Sequence, residues 1–332
     1  MSELDKTIRQ VKAPSAFRRK KEIQTPARFF FGHPPSLLDP IGDDAAVIQN
    51  GDDYLLMSCD GVIPELVASE PKWAGYCSVL VSVSDIYAMG GRPVAIVNLL
   101  SAPTDERAAL IAEGMAEGCR KFGVPMVGGH YLPGEAEGAA TAILGRATHL
   151  LRGSQGRPGQ LLIAAVDLNG SPYKHYLQWD CTSNKTAEEL HNRLELLPKI
   201  AELGLASAAR DISNAGVLGT LAMLAENAKC GADIDLGRIP RPPGADFQRW
   251  LLMFPGYGFV LSTDPEHADD VRSMFESEGV TAAVVGELTP HAKVMVYQGA
   301  ESAELMDWTH ESLVVARHEQ ADCGSRAVQS GS

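Results

Sequence analysis

A surplus of positive charge is missing from this chain. Twenty-nine lysines and arginines stand against 42 aspartates and glutamates, a formal net charge of −13. General nucleic-acid binders carry the opposite balance, so no nucleic-acid partner is expected. The six cysteines (59, 77, 119, 181, 230 and 323) form no Cys-x-x-Cys pair and no zinc spacing. Several lie in apolar helical contexts, where Cys behaves as a small hydrophobe. No apolar stretch follows the basic run Arg18–Lys21, and none reaches transmembrane length. These absences predict a reduced, cytoplasmic protein with no disulfides and no membrane partner. Walker A, Rossmann, kinase, Ser-His-Asp and zinc-hydrolase patterns are missing too.

What is present suits a globular protein: 332 residues, 45% hydrophobic and 21% charged, are enough for two domains. The most informative run is Val81-Ser-Val-Ser-Asp-Ile-Tyr-Ala-Met-Gly-Gly-Arg-Pro93. Trp73, Cys77, Leu80 and Val81, with Ile86 and Met89 behind them, recur at helical spacing and predict a buried helix over 72–89. Gly90-Gly91 stops it and Pro93 prevents its resumption. Asp85 sits near its end, and a carboxylate there costs several kcal/mol unless a cation or strong donors compensate it. A divalent metal would do so.

Around that helix the pattern predicts an N-terminal extension (1–35), beginning as an amphipathic helix and closing in a Pro34-Pro35 turn. Two strands, Ala45–Ile48 and Tyr54–Cys59, are joined as a hairpin through Asn50–Asp53. A strand at 94–100, a helix at 104–122 capped by Thr104, a short strand at 124–127 and another at 139–149 complete an N-terminal domain over 36–152. The order predicts an α/β (α+β) fold, a mixed sheet with helices on one face rather than a doubly wound one. A Gly/Pro-rich linker at 152–159 opens a C-terminal domain over 153–305, with a strand at 160–166, a helix at 186–203, a short segment at 208–212 and a helix at 216–229. Residues 306–332 form a tail, disordered from about 318 by composition.

Several short constellations carry chemistry, each with a plain structural alternative. Gly42-Asp43-Asp44 places adjacent carboxylates on a turn before a strand; they repel unless a cation intervenes, although Gly and Asp also favour turns locally. Asp60 ends a strand. Asp211 precedes Ser213 and Asn214, which serve either as helix caps or at an anion site on a helix start. Gly128-Gly129-His130 lets backbone amides approach a phosphate, with His130 as a ligand, a phosphate donor or a loop residue. Phe254–Phe259 contains Gly256 and Tyr257, which line a pocket or only turn the chain. The run Arg18–Lys21 reads as a solvated face rather than a phosphate clamp.

Taken together, Gly42–Ile48, Asp60-Gly61, Val83–Pro93, Val127–His130, Gly156–Gly159 and Arg210–Gly216 resemble the aminoimidazole ribonucleotide (AIR) synthase, or PurM-like, superfamily. They run in family order over roughly residues 37–300. The superfamily includes thiamine-monophosphate kinase, selenophosphate synthetase, the hydrogenase maturation factor HypE and formylglycinamide ribonucleotide amidotransferase. The resemblance implies a two-domain fold whose N-terminal sheet pairs with that of a second subunit as a β-barrel homodimer. It implies ATP phosphates between the domains, held by Mg²⁺ on Asp43 or Asp44, Asp60, Asp85 and Asp211. By the same resemblance Asp85, Asp211 and His130 are catalytic, Gly128, Gly129, His130, Ser213 and Asn214 hold the nucleotide, and Gly256 and Tyr257 face the acceptor.

The pattern departs from thiamine-monophosphate kinase, which has Gly-Gly-Asp at Gly128–His130 and Asp-x-Ser-Asp-Gly-Leu at Asp211–Gly216; His130 and Asn214 replace two carboxylates. Residues 1–41 contain no Cys, unlike selenophosphate synthetase. The segments at 211–224 and 250–259 resemble methanogenesis marker protein 2 and its uncharacterised bacterial relatives. The implied function is an ATP- and Mg²⁺-dependent phosphotransferase or activating enzyme acting on a small-molecule acceptor. The alternatives are a non-catalytic nucleotide-binding scaffold and, more narrowly, thiamine-monophosphate kinase itself.

Overall fold

The computed structural model describes residues 3–13, 15–27, 29, 36–38 and 41–314. Three helices open the chain: α1 (Glu3–Lys12), α2 (Ser15–Glu22) and α3 (Gln24–Ala27). Leu4, Ile8 and Val11 line the buried stripe of α1, as the predicted amphipathic pattern requires. The Pro34-Pro35 turn and the tail beyond residue 314 lie outside the described residues.

The N-terminal domain then runs β1 (Ala46–Asn50), β2 (Asp53–Gly61), α4 (Pro64–Ser69), α5 (Pro71–Ala88), β3 (Arg92–Ala102), α6 (Asp105–Phe122), β4 (Met126–Pro133) and β5 (Gly138–Ala147). Its sheet has the order β1-β2-β5-β3-β4, antiparallel except for the parallel β3–β4 pair. The β1–β2 hairpin closes at Asn50 opposite Asp53, as the turn chemistry predicts. Helix α5 is apolar or small nearly all round and is buried on nearly every side. It packs on β2, β5 and β3, on α6, and on the C-terminal domain. The α5–α6 contact is close because a Cβ on Gly75 would lie 2.0 Å from the Ile111 carbonyl oxygen, and one on Gly114 would lie 1.8 Å from that of Lys72. Gly90 and Gly91 end α5 by donating to Tyr87 and Ile86 carbonyls at 2.9 and 3.0 Å.

The C-terminal domain contains β6 (Leu161–Val166), β7 (Ser171–Pro172), β8 (Gln178–Asp180), α7 (Ala187–Leu194), α8 (Leu196–Glu202), β9 (Ala208–Asp211), α9 (Gly216–Asn227), β10 (Gly231–Asp235), α10 (Phe247–Leu252), β11 (Phe254–Pro255), β12 (Gly258–Thr263), α11 (Ala268–Ser277), β13 (Thr281–Thr289), β14 (Lys293–Gln298) and β15 (Glu301–Asp307). Seven of the strands form a mixed sheet, β15-β14-β10-β13-β6-β12-β9, and β7, β8 and β11 form a small one.

Two local expectations are corrected. The helix expected over 186–203 is two helices that break at Glu195, because Pro198 has no amide hydrogen to donate to the Leu194 carbonyl. Gly128-Gly129-His130 does not end a strand: β4 continues through it to Pro133. An edge strand tolerates glycine, and here β3 supplies the pairing partner.

Candidate functional site

The junction of the two sheets gathers carboxylates from four elements. Asp44 follows the Gly42 turn just before β1, and Asp60 lies near the end of β2. Asp85 is on the last turn of α5, and Asp211 ends β9, the edge strand of the C-terminal sheet. Strand alternation turns Ser58 and Asp60 to the face that α5 covers. The Ser58 hydroxyl donates to Asp85, and Asp60 shares a hydrogen bond with it. Packing of α5 on β9 brings Asp85 beside Asp211, whose backbone amide donates to Asp44 at 3.0 Å. Oxygens of Asp44, Asp85 and Asp211 lie within 4.8 Å of one another.

Asp43, expected beside Asp44 among the metal ligands, is like Asp60 not one of the three whose oxygens meet within 4.8 Å. Its carboxylate accepts the Gly153 amide at 2.8 Å and meets Arg210 at 3.4 Å. Adjacent residues on a tight turn point in different directions, so only one of the pair joins the cluster. Arg210 ties the turn together: it donates to the Gly42 carbonyl at 2.8 Å and pairs with Asp44 at 2.6 Å.

Electrostatically the cluster is unfinished. Burial, then the carboxylates of Asp60, Asp211 and Asp44, push Asp85 well above the ordinary carboxylate range. Burial and Asp44 do the same to Asp211, against the pull of Lys20. Asp44 is raised by burial despite its pairing with Arg210. A second cation or a proton is needed to hold these groups together. The donors are all carboxylate oxygens, the hard set that Mg²⁺ accepts and that softer transition metals select against.

The other expected residues divide. Ser213 and Asn214, both half-buried, lie in the loop between Asp211 and α9, beside the cluster. That loop ends in Ala215 at φ 84°, a left-handed conformation costly for a residue with a Cβ. Gly128, Gly129 and His130 are not brought to the cluster. Across the sheet the register runs Asp60–Thr141–Asn98–Gly129, three strand spacings or about 14 Å. His130 pairs with Leu99 on the opposite face from Asp60, so it shares no ion with Asp85. Gly256 is half-buried beneath Thr182. Tyr257 is a core residue, 1% exposed, with its hydroxyl donating to the Arg193 carbonyl at 2.6 Å; the expectation that it faces an acceptor is corrected.

Sequence reading missed three groups. Arg210, an arginine within the apolar segment Ala208–Ile212, carried a signal, because a buried arginine requires carboxylates. Ser58 did not stand out from other strand serines. Lys20 was assigned to a solvated face, yet its ammonium donates to Ser213 at 3.2 Å and acts on Asp44 and Asp211.

Fold and site together define a two-domain α/β protein with an acidic cluster at the domain junction. The chain belongs to the AIR synthase related family, and so to the PurM-like superfamily: the family's N-terminal domain matches residues 42–147 and its C-terminal domain residues 157–298. It is 40% identical over 275 residues to an uncharacterised protein of Synechocystis, covering 82% of this chain and 85% of that one. It is 29% identical to the thiamine-monophosphate kinase of Halobacterium salinarum, over 82% and 96% of the two chains. The fold matches Thermotoga maritima PurL complexed with ATP at a TM-score of 0.68 and 21% identity, covering 79% of this chain and 45% of PurL. The chain therefore spans about half the length of that structural relative, and it is related to ATP-using kinases and synthetases. Among the described residues no helix is long and apolar enough to cross a membrane.

Proposed function

We propose that the protein is an ATP- and Mg²⁺-dependent enzyme that phosphorylates a small molecule or activates one of its oxygens as a phosphate ester. The observation that carries this reading is the mutual approach, within 4.8 Å, of Asp44, Asp85 and Asp211 from both domains. Asp60 is bonded to Asp85 as a fourth carboxylate. Mg²⁺ held there would neutralise phosphate charge, and phosphoryl transfer needs positioning and charge neutralisation more than a covalent nucleophile. Asp43 and Arg210 fix the turn that carries Asp44. Ser213 and Asn214 line the site from the loop before α9. Gly129, on the same face as Asp60, serves the far end of a ligand that crosses the row from Asp60 to Gly129, whereas Gly128 and His130 alternate to the other face, and Gly256 serves the acceptor side through its backbone.

The reading includes a homodimer formed on the open face of the N-terminal sheet. Met57, Leu144, Val97 and Leu99 are exposed there on neighbouring strands, an apolar patch of the kind that marks an interface. The acceptor is not thiamine monophosphate by necessity, since His130 and Asn214 replace two carboxylates of that kinase pattern. Calorimetry with ATP, with and without Mg²⁺, tests the reading. Metal-dependent binding lost in Asp85→Asn and Asp211→Asn supports it, whereas no ATP binding by the wild type overturns it. Tight Mg²⁺–ATP binding without turnover across a broad acceptor panel would favour a nucleotide-binding scaffold.

A further inference from the structure

The N-terminal helices are fastened to the C-terminal domain in a way that presents one lysine to the acidic cluster. Phe17 of α2 is 3% exposed and its ring lies beside Gly219 of α9. Lys12 donates to the Leu305 carbonyl at 2.6 Å, and Lys12 and Lys21 both pair with Glu311, at 3.4 and 2.7 Å. Gln24 donates to the carbonyls of Ser312 and Leu313, each at 3.1 Å. The strand of chain that receives these contacts is itself held by the buried carboxylate of Glu226, which accepts from Ser312 Oγ and from the amides of Leu313 and Val314.

Lys20 differs from these neighbours. Among the described residues its one hydrogen-bond partner is Ser213 Oγ, and no carboxylate forms an ion pair with it. It is half-buried, and its charge is felt at both Asp44 and Asp211. Among the described residues, the carboxylates of Asp44, Asp60, Asp85 and Asp211 thus face two cations, Arg210 and Lys20, and of these two Arg210 is the one committed to ion pairs. An ammonium anchored by a fixed helix but left without a carboxylate partner is placed for an anionic ligand that enters with the metal.

We propose that Lys20 contacts a phosphate of the Mg²⁺-bound nucleotide, with Ser213 positioning its ammonium, so that the N-terminal helices form one wall of the site. This rests on the nucleotide reading above. The ligand chemistry is a phosphate oxygen, which a lysine meets as a point charge.

The test uses the full chain and three probes: Mn²⁺ alone, Mg²⁺–ATP, and the thermal midpoint as a control for folding. Lys20→Met should weaken Mg²⁺–ATP binding roughly tenfold or more, while Lys20→Arg keeps most of it. Mn²⁺ alone should bind Lys20→Met as tightly as the wild type or more tightly, because a cation has been removed from beside the carboxylates. These opposite signs are not expected of a merely structural lysine, which would weaken both ligands together with the midpoint. Unchanged Mg²⁺–ATP affinity in Lys20→Met, with the wild type binding normally, overturns the inference alone. A wild type that binds no nucleotide overturns the functional reading as well.

Discussion

Two buried acidic sites in this molecule differ in how their charge is answered. In the C-terminal domain Asp167 is fully buried, and both Lys185 at 2.8 Å and Arg193 at 2.5 Å pair with the same carboxylate oxygen. Its backbone carbonyl receives the Trp179 indole at 3.0 Å, and Arg193 also donates to the Glu278 carbonyl at 3.0 Å. At the domain junction three carboxylates crowd within 4.8 Å, and the nearest committed cation, Arg210, pairs with Asp44 and Asp43. The first site is complete as protein. Among the described residues the second is complete only with something added. Burial of a carboxylate is therefore weak evidence for function, while burial of several without matching cations is strong evidence.

The comparison can be broken most sharply at Asp167. Asp167→Ala leaves two cations facing each other in the core and should cost about 3–5 kcal/mol in urea denaturation, with Mg²⁺–ATP affinity of the folded protein unchanged. Equal loss of affinity would erase the distinction between the sites. Asp85→Asn should do the reverse, weakening Mg²⁺–ATP by more than about 100-fold while leaving the metal-free protein as stable as the wild type or more so. A large drop in metal-free stability would show that Asp85 is structural.

A pH series sharpens the same contrast with a smaller effect. Asp44, Asp85 and Asp211 are held above the ordinary value of 3.8, so the folded protein keeps protons that the unfolded chain releases. Their contribution to stability is present below that value and is lost as pH rises through the raised values. The metal-free thermal midpoint should therefore fall between mildly acidic and neutral pH, and Mg²⁺ should flatten the slope. A midpoint that rises over that range would contradict the assignment. Smallest of all, Tyr257→Phe removes the hydroxyl bonded to the Arg193 carbonyl and should cost about 1 kcal/mol without altering nucleotide binding.

Much of the site was legible in sequence because each carboxylate sits at the edge of a recognisable element. Asp85 stood out on an otherwise apolar helix, and Asp60 and Asp211 at strand ends beside Gly61 and Ser213. What sequence could not supply was direction. Asp43 and Asp44 are neighbours on one turn, yet the tertiary packing of Arg210 and Gly153 decides which of them faces the cluster. His130 follows a glycine pair, but strand alternation, visible only once register is known, puts it on the other face. Tyr257 read as a loop residue because glycines flank it, whereas β11 and β12 enclose it in the core. Lys20 was hidden for a different reason: its contact spans 193 positions, and a basic run on a short helix has no local mark of which residue turns inward.

The most direct test of the account is the thermal midpoint of the full chain with and without Mg²⁺–ATP, for the wild type, Asp85→Asn and Asp211→Asn. A ligand that binds only the folded state raises the midpoint in proportion to its affinity. The account predicts a clear rise of several degrees for the wild type and none for either variant. No rise in the wild type, or equal rises in all three, would contradict the claim that the junction carboxylates form the ligand site.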